Sequence, residues 1–118
     1  MKRVLSIFVL VMLTAAFHSC EKYEIIIGDD FQADIQPIFV GKCAGCHPSL
    51  LPPDFTEGNV YTSLTQHNGG RLLDMDIPED SYILEKATDG HSSNDINDAQ
   101  KKAIISWITE GALEESTE

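Results

Sequence analysis

Cys43, Cys46 and His47 stand in the order C-x-x-C-H inside "VGKCAGCHPSLLPPDF", residues 40–55. Side chains of these types at this spacing can do three kinds of chemistry. Two thiols three residues apart can each form a thioether with a vinyl group on one edge of a haem. A histidine directly after the second thiol then offers its imidazole to the iron, and this immediate succession is the specific mark of c-type haem attachment. A C-x-x-C pair can also supply two of four zinc ligands, with His67 and His91 as the other two. No second C-x-x-C exists, and the spacing is not finger-like. A thioredoxin-type dithiol is the third option, but no strand–helix–strand context surrounds it. A plain structural disulfide stands beside all three.

The compartment bears on the choice. Lys2 and Arg3 are followed by an apolar run from Val4 to Phe17, "VLSIFVLVMLTAAF". It is too short to cross a membrane and lies at the extreme N-terminus, as a secretory signal does. The run ends in "AAFHSC", placing Cys20 where a bacterial lipoprotein carries its lipid-modified cysteine; Phe17 and His18 depart from the usual residues there. A plain cut after Ala16 is the rival. The 3 cysteines are an odd number for an exported chain, and lipidation of Cys20 would account for the one left over. Export suits haem attachment, which takes place outside the cytoplasm.

The expected organisation is a signal peptide over 1–19, a tether over 20–29, a domain over 30–112 and an acidic tail over 113–118. Of the 8 Lys and Arg, two lie in the leader, leaving six against 19 Asp and Glu, a net charge of −13. Nucleic-acid binding needs a basic footprint and is excluded on this balance. Such acidity suits solubility at a surface and a partner with a basic docking face.

The elements that must position the motif are helical. Phe31, Ile35, Ile38 and Phe39 fall on one helical face, with Asp29 or Asp30 as cap and Pro37 expected to kink or split the helix. That helix would deliver Cys43 and His47 at its C-terminal end. Residues 48–58 read as a Pro-rich loop, 58–66 as a short helix, "HNGGR" as a turn and "IPEDSYILEKA" as another short helix. Asn97 and Gln100 match a capping box. Ile104, Trp107 and Ile108 form a stripe that Gly111 can end. No strand pattern is convincing, so the expected fold class is all-α.

Beyond C-x-x-C-H, the stretches "DDFQADIQPIFVGKCAGCH", "PDFTEGNVYTSL", "PEDSYILEKATDGH" and "IISWITEGA" resemble a family of small bacterial monohaem cytochrome c domains. The resemblance covers about residues 30–112. It implies terminal helices packed across each other, with shorter helices around one covalent haem c. Phe39 and Trp107 would then lie near that crossing or the haem edge, or serve as ordinary core.

The family also implies a distal iron ligand, usually a Met in the loop before the last helix. Here that loop reads "DGHSSNDIN" and holds no Met, but it holds His91. His91 is therefore the leading distal candidate, Met75 the second and His67 the third. A backbone carbonyl among residues 50–53 is a candidate partner for the other nitrogen of His47.

These features together imply an electron carrier, not an enzyme. It would be exported to the periplasmic side of the envelope, anchored as an outer-membrane lipoprotein through Cys20, and would serve a basic redox partner. A haem peroxidase or gas sensor with an open distal face, and a zinc module, are the alternatives.

Overall fold

A computed structural model describes residues 30–91 and 94–115. The leader, Cys20 and the rest of the tether lie outside the described residues, as do residues 92–93 and the chain end from 116. Among the described residues every regular element is helical and none is a strand, in line with the all-α expectation. No helix among them is long and apolar enough to cross a membrane.

The first element carries the mark of Pro37. It begins as a π-helical turn, Phe31–Ile35, and continues as α1, Gln36–Lys42. Pro37 has no N–H, and its ring would crowd the carbonyl four residues back in a regular helix. The chain answers by widening: the Gln36 N–H donates to the Phe31 carbonyl, five residues back. Asp30 caps this start, its side chain accepting from the Ala33 N–H at 2.8 Å. The expected split at Pro37 is thus present, as a change of helix type.

Helix α2 spans Val60–Gln66, and a 3-10 turn, His67–Gly69, follows it. A second 3-10 turn, Pro78–Asp80, precedes α3, Tyr82–Thr88. The sequence pattern suggests one continuous helix here, but Ser81 interrupts it. Ser81 is buried with an extended backbone, and its Oγ accepts from the Asp74 N–H at 2.9 Å. A side chain spent on a distant backbone donor holds its residue out of the helix.

Helix α4, Asp98–Thr109, shows both bonds of the capping box: Asn97 accepts from the Gln100 N–H, and Gln100 accepts from the Asn97 N–H. Beyond it Gly111 takes a φ of +106°, which lets the Ala112 N–H reach back to the Trp107 carbonyl at 2.9 Å. The Trp107 indole N–H donates to the Leu113 carbonyl at 2.8 Å, tying the chain end to the core.

The two ends of the described chain meet. The π turn packs on α4, with the Phe31 and Trp107 ring centroids 5.3 Å apart and Tyr61 edge-on to Phe31 at 5.2 Å. Ile35, Leu64 and Ile104 fill the space beneath, fully buried. Each such side chain stabilises the fold by about 1.5–3 kcal/mol relative to exposure. This core is the platform on which the cysteine turn sits.

Candidate functional site

The C-x-x-C-H residues leave α1 in a run of tight turns. The Cys43 N–H donates to the Phe39 carbonyl at 2.8 Å, closing the helix. The Cys46 and His47 N–H groups both donate back to the Cys43 carbonyl, at 3.1 and 2.9 Å. The motif therefore folds on itself, holding both thiols and the imidazole at one end of α1. The following loop returns at Phe55, whose N–H donates to the His47 carbonyl at 3.0 Å. The Phe55 ring is buried between Phe39, stacked at 5.4 Å, and His47, edge-on at 5.7 Å. Phe39 and Trp107 are both buried core, and neither lines the site.

Beside the motif lies a cavity of about 290 Å³. Cys43, Cys46, His47 and Phe55 form one side. His67, Tyr82 and Lys86, from the α2 turn and α3, and His91 from the loop after α3 complete it. Of the sequence-derived candidates, the motif residues, His91 and His67 are brought to this one space. Met75 is not: it sits 52% exposed in a turn where Asp74 Oδ1 accepts from the Asp76 and Ile77 N–H groups. Among the described residues no three His, Cys, Asp or Glu side chains converge on one point. Cys43, Cys46, His67 and His91 thus share a cavity without forming a four-ligand cage.

The two leading histidines face each other closely. The His47 and His91 ring centroids are 6.2 Å apart, with planes inclined by 25°. His91 is placed by its own loop. Its N–H donates to Asp89 Oδ1 at 2.9 Å, and the other Asp89 oxygen accepts from Lys86 Nζ at 2.9 Å. The far end of the loop is pinned where the Ile96 N–H donates to the Ala87 carbonyl at 3.0 Å.

Electrostatics distinguish the two sides. Cys43 and Cys46 are unpaired with each other. Burial pushes the Cys43 thiol up to about 11, the neighbouring Cys46 adds to this, and Lys42 opposes it. Cys43 therefore stays protonated at neutral pH. Lys86 is pushed up to about 12 by its hydrogen bonds to Asp89 and Glu85, and Asp89 is held below the ordinary carboxylate range by Lys86. Lys42 and Lys86 line the cavity and no carboxylate does, although the chain carries 19 acidic residues. Lys86 is paired with Glu85 and Asp89, which leaves Lys42 as the lining cation with no ion pair among the described residues.

His47 Nδ1 is buried and has no hydrogen-bond partner, so no carbonyl of residues 50–53 meets it. An unpaired buried polar group costs about 1–3 kcal/mol, and such orphans point to a bound group or a special role. The donor set here is two thiols, an imidazole with an orphaned ring nitrogen, a second imidazole opposite, and two ammonium groups. It fits a covalently held, metal-bearing ligand with carboxylate substituents, which is the chemical description of haem.

Three residues of this site carry no sequence signal for it. Phe55 is one apolar residue in a Pro-rich loop, and its place beside His47 is tertiary. Tyr82 and Lys86 are four residues apart, hence on one helical face, but nothing local says that the face turns toward the cysteines. No family model, curated protein or solved structure matches the chain.

Proposed function

We propose that the chain is a monohaem c-type cytochrome that carries single electrons between partners at a bacterial envelope membrane. The observation that carries this reading is the C-x-x-C-H turn and His91, from separate parts of the chain, opening on one cavity with imidazole centroids 6.2 Å apart. At that separation both imidazoles are near enough to be ligands of one metal ion. The proposed fold is correspondingly cytochrome c-like, supported by the packing of the first helical turn on the last helix.

Cys43 and Cys46 would hold haem c through thioethers, and His47 and His91 would ligate its iron. When bound, that group supplies one-electron redox chemistry. The residues of the chain do the rest. With His47 and His91 both holding the metal, the chain would leave no place for substrate and would restrict the site to electron transfer. A second imidazole, unlike a thioether sulfur, does not raise the potential. Lys42 offers the wall a positive charge for carboxylate substituents, while Lys86 is engaged by Glu85 and Asp89. The acidic surface outside it steers a basic partner, so association slows as salt rises. Lipidated Cys20 would confine the carrier to the membrane surface, with the outer membrane's periplasmic side as the proposed location.

A second reading rests on the position of His91, which is solvent-exposed and whose N–H is held by Asp89. If it stood off the iron, the distal face would be open, as in a peroxidase or gas sensor. Visible spectra of the exported protein in both redox states, with and without carbon monoxide, separate the two. The carrier shows a low-spin spectrum and slow ligand uptake. Immediate uptake by the reduced protein supports the open site.

A further inference from the structure

We infer that Asp89 is a positioning residue: its carboxylate, bridging α3 and the His91 backbone, holds the His91 imidazole opposite His47. This rests on the proposal that His91 is the distal ligand, and it goes further by naming what keeps that ligand in place.

The geometry is specific. His91 belongs to a loop that packs little apolar surface: Asp89, Gly90 and His91 are exposed, and among the described residues beyond it the first buried one is Ile96. Something other than core burial must therefore fix the ring. Two oxygens of one carboxylate fix the turn that carries it. Oδ1 accepts the His91 N–H at 2.9 Å, the turn in which an aspartate side chain bonds the backbone two residues on. Oδ2 accepts Lys86 Nζ at 2.9 Å, and Lys86 lies over the Tyr82 ring at 5.4 Å. The turn is thus joined to α3, whose Ile83 and Leu84 are buried in the core. Ile83 is bonded in turn to the Leu72 carbonyl at 3.0 Å. On the near side of the loop the path from His91 to the core runs through Asp89; the far side is pinned by Ile96 on the Ala87 carbonyl.

The two bonds are not equal. The Lys86 pair is partly exposed, and exposed ion pairs contribute little. The local bond to the His91 N–H fixes the backbone itself. Removing both with Asp89→Ala should raise the population in which His91 has left the iron by roughly five- to tenfold, the effect of losing one ordinary hydrogen bond. Asp89→Asn keeps an oxygen for the His91 N–H and loses only the charge, so it should restore most of the native behaviour. Lys86→Met should resemble Asp89→Asn.

The experiment uses the exported, haem-loaded full chain and exogenous imidazole as probe. An outside ligand binds only the fraction of molecules with an open distal face, so its apparent affinity scales with that fraction. Spectral titration of the ferric protein should show five- to tenfold tighter apparent imidazole binding for Asp89→Ala and near-native binding for Asp89→Asn. His91→Ala, titrated in parallel, should bind immediately and tightest. If His91→Ala binds no more readily than the native protein, the assignment of His91 as ligand fails. If His91→Ala opens the site but Asp89→Ala titrates like the native protein, the positioning role of Asp89 is overturned and the ligand stands. Far-ultraviolet circular dichroism of each variant, expected to match the native signal, separates displacement of His91 from loss of the fold. Opening of the site with loss of that signal in Asp89→Ala overturns the role as well.

Discussion

The two halves of the site are built from different materials. On the proximal half, His47 is fixed by a turn folded on the Cys43 carbonyl and by the Phe55 ring, itself stacked on Phe39 at 5.4 Å. On the distal half, His91 hangs from two hydrogen bonds of one carboxylate on an exposed loop. Apolar packing is cooperative and insensitive to salt and pH, whereas exposed polar bonds contribute about 1 kcal/mol each and can open locally. A site made this way keeps its cysteine side rigid and lets its other side adjust. The difference teaches that the same cavity can be lost in two ways, by unfolding from one wall or by opening at the other.

The largest expected effect comes from breaking the proximal half. Phe55→Ala should destabilise the fold by about 3–5 kcal/mol, the cost of emptying an aromatic site in a packed core. Denaturant unfolding measures it, and a loss below about 1 kcal/mol would mean that Phe55 does not wall His47. Breaking the distal half should do the opposite. His91→Ala should leave stability within about 1 kcal/mol while converting the spectrum to one with an open coordination position. A variant that unfolds would show that the loop is structural and not merely positioning.

A smaller effect sharpens the contrast through pH. Asp54 is held below the ordinary carboxylate range by the Thr56 hydroxyl and N–H, and Asp89 by Lys86. A carboxyl with a depressed folded pKa adds stability above its unfolded value, about 3.9, and that stability is lost as pH falls through the folded pKa. Melting temperature should therefore drop as pH is lowered from about 5 to about 3, and Asp54→Asn should flatten part of that slope. A slope unchanged by Asp54→Asn would remove Asp54 from the account. The smallest expected effect is at Met75, exposed and outside the cavity. Met75→Leu should change neither spectrum nor stability by more than about 0.5 kcal/mol. Loss of the low-spin spectrum would make Met75 the ligand in place of His91.

How much of this was legible in the sequence follows from how local each feature is. The Asn97–Gln100 box, the Ile104–Trp107–Ile108 stripe and the cap at Asp30 depend on residues three or four apart, and their patterns are visible in a string of letters. Pro37 announced a break, but not that the chain would widen into a π turn rather than bend. The interruption at Ser81 could not be read, because its cause is a bond to the Asp74 backbone across a loop. At the site, C-x-x-C-H gave three of the donors. His91 entered first as a candidate zinc ligand beside His67, and became the leading distal candidate through the family resemblance; no spacing rule links it to His47, 44 positions earlier. Phe55 was invisible because its contacts with Phe39 and His47 exist only once the loop has packed on α1; the Lys86–Asp89–His91 bonds are local, but nothing local says that they face the cysteines.

The account depends most on covalent haem at Cys43 and Cys46. The direct measurement is a haem-stained denaturing gel of the full chain, exported from cells that carry the haem-attachment machinery, beside a Cys43→Ser/Cys46→Ser variant. A stained band for the native chain that vanishes in the double variant is the predicted result. A native chain that is exported and folded but does not stain would contradict it.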